Sequence, residues 1–314
     1  MVLTQIPQSI TCYDVLSCDE PPPQDKTSTI RQRGVRMLSW DDLTFGFEFE
    51  FIGNATPEAR DQFKAFMKEN NIPYVFTGVY GKNSEDAWTL GADGSVGDIT
   101  TCKYIEKAKR NFGYELVSPV LHVSDFPVID KVLAAVKDIL KGFPNRTCGT
   151  HVHIGNIGGM TEHDFMHKGN KATSFMNAVV WLYMKLQPYL WDNLIPKWRV
   201  DQPFCKTYVN GAYERDKYLA LSGKGKHGTL ESRVHHGTLE YDEITDWAIM
   251  IAHFLAYCYN NHLHIKLNPN LEKFDCMMSL LEQFGYEHDE AETLLRKRLA
   301  RVEHLNRCLY RDRQ

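Results

Sequence analysis

The pattern of hydrophobic positions divides the chain into short strands and longer helices. Phenylalanine occupies every second position from Phe45 to Phe51, and the residues between them are Gly46, Glu48 and Glu50. A period of two is typical of a strand that buries one face. Shorter stretches of the same kind predict strands over residues 74–80, 87–90, 113–117, 150–155, 217–222 and 228–235.

Helical spacing accounts for most of the remaining apolar residues. Thr56 followed by Pro57 predicts a helix start, because threonine caps a helix and proline suits its first turn. A second helix is predicted from Ser124, and we expect Gly142 to end it in the left-handed conformation. Further helices are predicted over residues 171–194, 243–264 and 290–314. Because these elements interleave without a regular strand–helix–strand rhythm, we predict an α+β fold with an antiparallel sheet.

Composition and charge narrow the class of protein. The 314 residues are 43% hydrophobic and 24% charged, which is typical of a globular chain. With 36 Lys and Arg against 40 Asp and Glu, the net charge of −4 gives no general reason to expect binding to nucleic acid or to a membrane surface. The eight cysteines form no CxxC pair and residues 1–20 carry no secretory pattern, so we expect a cytoplasmic protein.

Three of the predicted strands each carry two polar side chains spaced two residues apart. The pairs are Glu48 with Glu50, His151 with His153, and Glu231 with Arg233. Residues at i and i+2 of a strand point to the same face, so each pair projects side by side.

Each pair has two interpretations when it is taken alone. Paired carboxylates hold a divalent cation or simply cover a solvent-facing strand. Paired histidines bind a metal or a phosphate, or they are hydrogen-bonded core residues. An acid beside an arginine is an ordinary ion pair, or it is a metal ligand beside a phosphate-binding guanidinium. Asp93 in a turn and Glu115 before a proline are unremarkable by themselves.

The order of the motifs along the chain is more informative than any single one. The motifs are Gly46-Phe-Glu-Phe-Glu50, Asp93-Gly-Ser95, Glu115-Leu-Val-Ser-Pro119, Cys148-Gly-Thr-His-Val-His153 and Gly228-Thr-Leu-Glu-Ser-Arg233. From about residue 43 to residue 268, this series resembles the amidoligase family of the glutamine synthetase-like ATP-dependent carboxylate–amine ligases.

The resemblance implies a fold and a ligand set. It implies a curved antiparallel sheet of the glutamine synthetase-like type with flanking helices, whose concave face holds ATP and two or three Mg²⁺ ions, with Mn²⁺ as an alternative. The implied metal ligands are Glu48, Glu50, Glu115, His151 and Glu231. The implied nucleotide-side residues are His153, Arg233 and Asp93, and the implied catalytic residues are Glu48, Glu231 and Arg233. Whether Glu106 or Asp93 supplies a further carboxylate stays open.

The resemblance also implies an activity and a division of the chain. The expected reaction joins a small-molecule or peptide carboxylate to an amine through an acyl phosphate, giving an amide or isopeptide bond. The alternatives are a metal-dependent hydrolase and a catalytically inactive binding module of the same fold. We expect a flexible extension over residues 1–40, a catalytic domain over 41–270 and a helical extension over 271–314. The basic last helix keeps nucleic acid as an alternative partner, and the oligomeric state is open.

Overall fold

A central sheet and a set of flanking helices make up the fold. The computed structural model describes residues 9–10, 37–78, 84–96, 112–160, 171–200, 219–222, 228–261 and 264–311. The strands in these ranges are β1 (Ser9–Ile10), β2 (Thr44–Gly53), β3 (Tyr74–Phe76), β4 (Trp88–Ala92), β5 (Phe112–Val117), β6 (Thr150–Gly155), β7 (Leu221–Ser222), β8 (Leu230–Ser232) and β9 (Ile265–Lys266). The helices are α1 (Pro57–Glu69), α2 (Phe126–Asp138), α3 (Lys171–Leu186), α4 (Tyr241–Asn260), α5 (Lys273–Gln283) and α6 (His288–Arg311).

Seven of these strands form one open sheet. Its spatial order is β3-β4-β5-β2-β6-β8-β7, and every neighbouring pair is antiparallel except β3 with β4, which is parallel. The two remaining strands, β1 and β9, pair with each other. The predicted α+β class with an antiparallel sheet is therefore confirmed for the described residues, with one parallel pair at the edge.

The phenylalanines of β2 build the apolar side of the sheet. All four rings, from Phe45 to Phe51, are buried. Phe126 at the start of α2 packs edge-on against Phe45 and Phe47, with ring centroids 5.1 and 5.6 Å apart. The intervening glutamates must then lie on the opposite face, as the period of two predicts.

Helix α4 packs on the same apolar side and steadies the short strand β8. Trp247 is fully buried, and its indole Nε1 donates a hydrogen bond of 3.2 Å to the hydroxyl of Ser232. Ser232 lies between Glu231 and Arg233 in sequence, so this bond fixes the side of β8 that faces the helix.

The last helix is joined to this core by a buried arginine. Arg298 of α6 is only 4% exposed, and its guanidinium donates to the carbonyl oxygens of Glu243 and Leu194 at 2.7 and 3.3 Å. Leu281 of α5 and Leu295 of α6 belong to the same hydrophobic core as the sheet. Residues near the carboxyl terminus therefore pack on the same core as β2.

Two helix predictions need correction. Gly142 does not adopt the left-handed conformation after α2, because Lys141 does so instead, with φ of 50°. Gly142 is required for space, since a Cβ there would lie 2.6 Å from Cγ1 of Val136 and 3.0 Å from the ring of Phe51. Helix α5 lies within the expected helical extension over 271–314 but was not predicted as a separate helix, although Phe274, Met277, Met278 and Leu281 follow helical spacing.

The other predicted elements are present on described residues, but several are shorter than predicted. The strand predicted over 74–80 ends at Phe76, the strand predicted over 228–235 spans Leu230–Ser232, and the helix predicted over 243–264 ends at Asn260. The short strands β1 and β9 were not predicted.

Thr56 caps α1 by accepting a 3.2 Å hydrogen bond from the amide of Ala59. Helix α3 ends at Leu186, just before Pro188, where proline is expected to interrupt it. Most of the predicted extension over residues 1–40 lies outside the described residues. Within the ranges described above, no helix is both long and apolar enough to cross a membrane.

The buried row on β2 leads to a stability prediction. Phe49 is fully buried and stacks against Phe47 and Trp88. We expect Phe49→Ala to lower the free energy of unfolding by about 3–5 kcal/mol, because it leaves a cavity under the sheet. Urea denaturation measures this change. Met37→Ala, at a side chain that is 66% exposed, should change it by less than about 0.5 kcal/mol. Equal effects of the two substitutions would contradict this packing.

Candidate metal and phosphate site

The sheet register brings the paired polar residues of three strands onto one face. Residue 48 of β2 lies opposite His151 of β6, and Glu50 lies opposite Glu115 of β5. Glu231 of β8 lies opposite His153. The face opposite the phenylalanines therefore collects acids and histidines from four adjacent strands.

Glu48 is the centre of the first group. One of its carboxylate oxygens lies 2.8 Å from Nδ1 of His151, and the other lies 3.1 Å from Nε2 of His153. Burial raises the pKa of Glu48, but the charge of His153 and the hydrogen bonds to both histidines outweigh burial and hold that pKa well below its usual range. Burial lowers the pKa of His153, but the Glu48 carboxylate outweighs this effect, so the net change is upward. The group is thus a carboxylate held ionised between two imidazoles.

Strand β8 completes this first group. Oε1 of Glu231 lies 3.6 Å from Nδ1 of His151 and 3.8 Å from Nε2 of His153, and it accepts a hydrogen bond from the guanidinium of Arg233. Ligand atoms of Glu48, His153 and Glu231 all lie within 4.8 Å of one another. Mixed imidazole and carboxylate ligands at this spacing suit a divalent cation.

The second group consists of three buried carboxylates. Glu50, Asp93 and Glu115 offer oxygens within 4.8 Å of one another, and the residues are 9%, 5% and 5% exposed. Burial, followed by the negative charges of Glu48, Asp93 and Glu50, raises the pKa of Glu115 to about 9. Such crowding of buried like charges is relieved when a cation with oxygen ligands binds between them.

Local hydrogen bonds orient the acids of this second group. The amide of Gly149 donates to Oε2 of Glu50 at 2.5 Å. Oδ1 of Asp93 accepts from both the amide and the hydroxyl of Ser95 at 2.7 Å. Glu50 also lies 3.8 Å from Nε2 of His151, so the two groups are continuous.

The structure thus brings together every site residue that the sequence predicts. These are Glu48, Glu50, Asp93, Glu115, His151, His153, Glu231 and Arg233. Asp93, whose place was uncertain, lies with the carboxylates, whereas Glu106 lies outside the described residues. The donor set fits Mg²⁺ or Mn²⁺, because oxygen ligands dominate and the buried carboxylates repel one another without a cation.

Sequence reasoning missed two residues around the site. Thr229 places its hydroxyl 3.2 Å from Nδ1 of His153, and both residues line a cavity of about 160 Å³ beside Glu48. Arg199, from the segment after α3, donates from Nη2 to the backbone carbonyl of Arg233 at 3.0 Å. A lone threonine and a lone arginine carry no periodic signal, so only the three-dimensional arrangement reveals them.

A second cluster of titratable residues lies away from this face. His236 and Glu243 are 3.0 Å apart, Thr238 donates to Glu243, and Arg301 lies 3.3 Å from both of its carboxylate oxygens. Burial lowers the pKa of His236 and, more strongly, that of its neighbour His235. Because an arginine already balances the carboxylate, this cluster is an internal ion-pair network that joins α4 to α6.

Comparison with known families agrees with the geometry. A family model described as "Putative amidoligase enzyme" matches residues 41–225, more than half of the chain. The chain belongs to this amidoligase family. The family describes enzymes of the ligase type, and no curated protein matches the sequence. The amidoligase match ends before Glu231 and Arg233, which the sheet nevertheless brings to the same face as Glu48.

The carboxylate group leads to a pH prediction for the metal-free protein. An unfolded glutamate titrates near pH 4.3, so folded Glu115 with a pKa of about 9 binds an extra proton between these values. Stability from this group is therefore present at low pH and is lost as the pH rises through about 9. We expect Glu115→Gln to flatten this decline and to be more stable than the wild type at pH 9 by at least about 1 kcal/mol.

Urea unfolding at pH 5–9 in the presence of a chelator measures this effect. The exposed Glu69 on α1 provides the matched control, and Glu69→Gln should keep the wild-type pH dependence. A pH dependence of Glu115→Gln that is identical to the wild type would show that Glu115 is not protonated in the folded state.

Proposed function

We propose that this amidoligase is an ATP- and Mg²⁺-dependent carboxylate–amine ligase that forms an amide or isopeptide bond through an acyl phosphate. We further propose that its sheet is a glutamine synthetase-like catalytic sheet. The observation that carries the proposal is the joining of two metal-binding groups on one face, with Arg233 beside Glu231. Metal ligands next to a guanidinium suit the binding of phosphates.

Each group on the face has a part in this proposal. Glu50 and Glu115, with Asp93 near them, would hold one Mg²⁺, and Glu48, His151 and Glu231 would hold another. When bound, Mg²⁺ neutralises the charge of phosphate oxygens during their transfer. His153 would face the nucleotide, with its ring oriented by the hydroxyl of Thr229. The cavity of about 160 Å³ beside His153, with Val117 and Val120 among its apolar walls, has room for part of a nucleotide, and we place that part there.

The chemistry explains why this face needs so many charges. A carboxylate is a poor electrophile, because direct attack by an amine on its carbon would have to expel an oxide-like oxygen, which is a poor leaving group. Attack of a carboxylate oxygen on the γ-phosphorus of ATP gives an acyl phosphate and releases ADP. The amine then attacks the acyl carbon, and inorganic phosphate leaves. Arg233 would stabilise the transferred phosphoryl group, and its contact with Glu231 would hold its guanidinium in place.

The proposal also includes the domain bounds, the substrates, the cellular location and the partners of the enzyme. We place the catalytic domain at residues 41–270, with extensions over 1–40 and 271–314. The substrates would be a small-molecule or peptide carboxylate and an amine, and the enzyme would act in the cytoplasm. The basic residues of α6 leave nucleic acid as a weaker alternative partner.

Transfer of isotope from the carboxylate to phosphate tests the proposal. We expect the wild type, with ATP, Mg²⁺, an amine pool and ¹⁸O-labelled carboxylates, to release inorganic phosphate that carries one ¹⁸O atom from its carboxylate substrate. Glu48→Gln and Arg233→Ala should each lower this rate by at least about 100-fold. The first removes an anionic ligand of the proposed Mg²⁺, and the second removes a positive charge beside the transferred phosphoryl group. Mass spectrometry of the phosphate measures both results.

One control and two contradictory outcomes define this experiment. Arg296→Ala, at an exposed arginine of α6 that pairs with Glu292, should keep the wild-type rate. Failure of the wild type to bind Mg²⁺ and ATP would contradict the ligase proposal. Metal-dependent hydrolysis without ATP would favour a hydrolase, whose usual ligands include the same combination of glutamate and histidine.

A further inference from the structure

The face of the sheet opposite the phenylalanines of β2, which is the catalytic face of the proposed enzyme, continues beyond His151 to the position of Gly149. Gly149 bridges His236, and its carbonyl accepts a 3.2 Å hydrogen bond from the amide of Glu50, so the strand pairing extends one residue before β6. Because side chains alternate along a strand, residues 149, 151 and 153 point to one face. The row therefore runs from His153 through His151 to a position that has no side chain.

The guanidinium of Arg199 occupies that position. A Cβ built on Gly149 would overlap Nη2 of Arg199 and would lie 3.0 Å from Nε2 of His151. Glycine at position 149 therefore allows an arginine from another segment to lie next to His151 on the catalytic face. Arg199 is 5% exposed, which is similar to the exposure of Asp93 and Glu115 in the metal-binding groups.

Local bonds hold Arg199 beside the other arginine of the face. Its Nη2 donates to the backbone carbonyl of Arg233 at 3.0 Å, and its own amide donates to the carbonyl of Pro196 at 2.8 Å. The guanidinium of Arg199 thus lies at the Gly149 end of the row, whereas the cavity lies at the His153 end, where Arg233 contacts Glu231. Guanidinium groups bind carboxylates well, because their planar donors match both oxygens.

In-line phosphoryl transfer requires the nucleotide and the substrate carboxylate to approach from opposite ends of the row formed by positions 149, 151 and 153. Four residues of strand span about 13 Å between positions 149 and 153. The attacking group and the leaving group lie roughly in line on opposite sides of the transferred phosphorus. If the nucleotide enters from the His153 end, the attacking carboxylate must approach from the end where Arg199 lies.

We propose that Arg199 binds the reacting carboxylate of the substrate, and this inference rests on the proposed ligase function. One carboxylate oxygen forms the new bond to the γ-phosphorus, while the bond from that phosphorus to the bridging oxygen breaks and its electron pair leaves with ADP. Arg199 donates hydrogen bonds to the other carboxylate oxygen and transfers no proton. Gly149 acts as a positioning residue, because its lack of a side chain leaves room for this guanidinium.

Binding measurements on the full chain test this role. The wild type is loaded with Mg²⁺ and the β,γ-imido analogue of ATP, and is titrated calorimetrically with acetate, succinate and L-glutamate. We expect at least one of these carboxylates to bind. Arg199→Gln should weaken that binding by about 10- to 100-fold, the loss expected for one charged hydrogen-bond donor. Affinity for Mg²⁺ and the nucleotide analogue should change by less than about threefold.

Further variants separate binding from structural support. Arg199→Lys should recover part of the lost affinity, since it keeps the charge. Gly149→Ala should reproduce the defect of Arg199→Gln, because its methyl group displaces the guanidinium. Arg146→Gln, at an exposed arginine that precedes β6, should bind the carboxylates as the wild type does. Thermal unfolding of each variant reports whether the fold is retained.

Different results would contradict the role of Arg199 and the ligase function. Unchanged carboxylate affinity in Arg199→Gln, or no carboxylate binding by the loaded wild type, would overturn the role of Arg199. Equal weakening of carboxylate and nucleotide binding would assign Arg199 to the support of Arg233 and would also overturn it. Failure of the wild type to bind the nucleotide analogue would instead reject the ligase function, and this inference with it.

Discussion

Repulsion between buried carboxylates is the constraint on which the rest of the structure depends. Glu50, Asp93 and Glu115 lie together with little access to water, although an isolated buried charge is strongly unfavourable. The fold tolerates them because amide donors, the imidazoles of β6 and the guanidinium of Arg233 lie around the same face, while the phenylalanines of β2 stabilise the sheet from its other side. A cation or a proton supplies the remaining balance. The crowded face is therefore a candidate cation-binding surface supported by the core beneath it.

One face of the sheet is apolar and the other is polar, and this difference explains which features the sequence could predict. Strand alternation in β2 identifies both the buried phenylalanines and the acids between them, and the pairs on β6 and β8 follow the same rule. These patterns are local, so they can be recognised in the sequence without knowledge of the fold. The proximity of Glu48 to His151 depends on which strands become neighbours, and the order of the motifs, through a family resemblance, supplied that information.

Features that depend on contacts between distant segments were beyond the sequence pattern. Arg199 reaches the face only because Gly149 lacks a side chain, and neither residue signals this by its spacing. The end of α2 shows the same limit, since Lys141 adopts the left-handed conformation while Gly142 makes room for Phe51 and Val136. A glycine after a helix is compatible with both roles, and tertiary packing decides between them. The omission of α5 is different in kind, because its apolar spacing was present in the sequence.

The hydrogen bond from Trp247 to Ser232 couples helix α4 to the polar residues on the opposite face of the sheet. Strand β8 has only three residues, so its own ladder gives little resistance to rotation about the strand axis. By holding the middle residue from the core side, the tryptophan determines the direction in which Glu231 and Arg233 point. The same helix carries Glu243, which α6 contacts through Arg298 and Arg301. Packing changes in the carboxyl-terminal region can therefore alter the direction of Arg233 without disturbing Glu48 and Glu50 on β2. In the proposed enzyme, natural variation could then tune phosphate contacts separately from metal affinity.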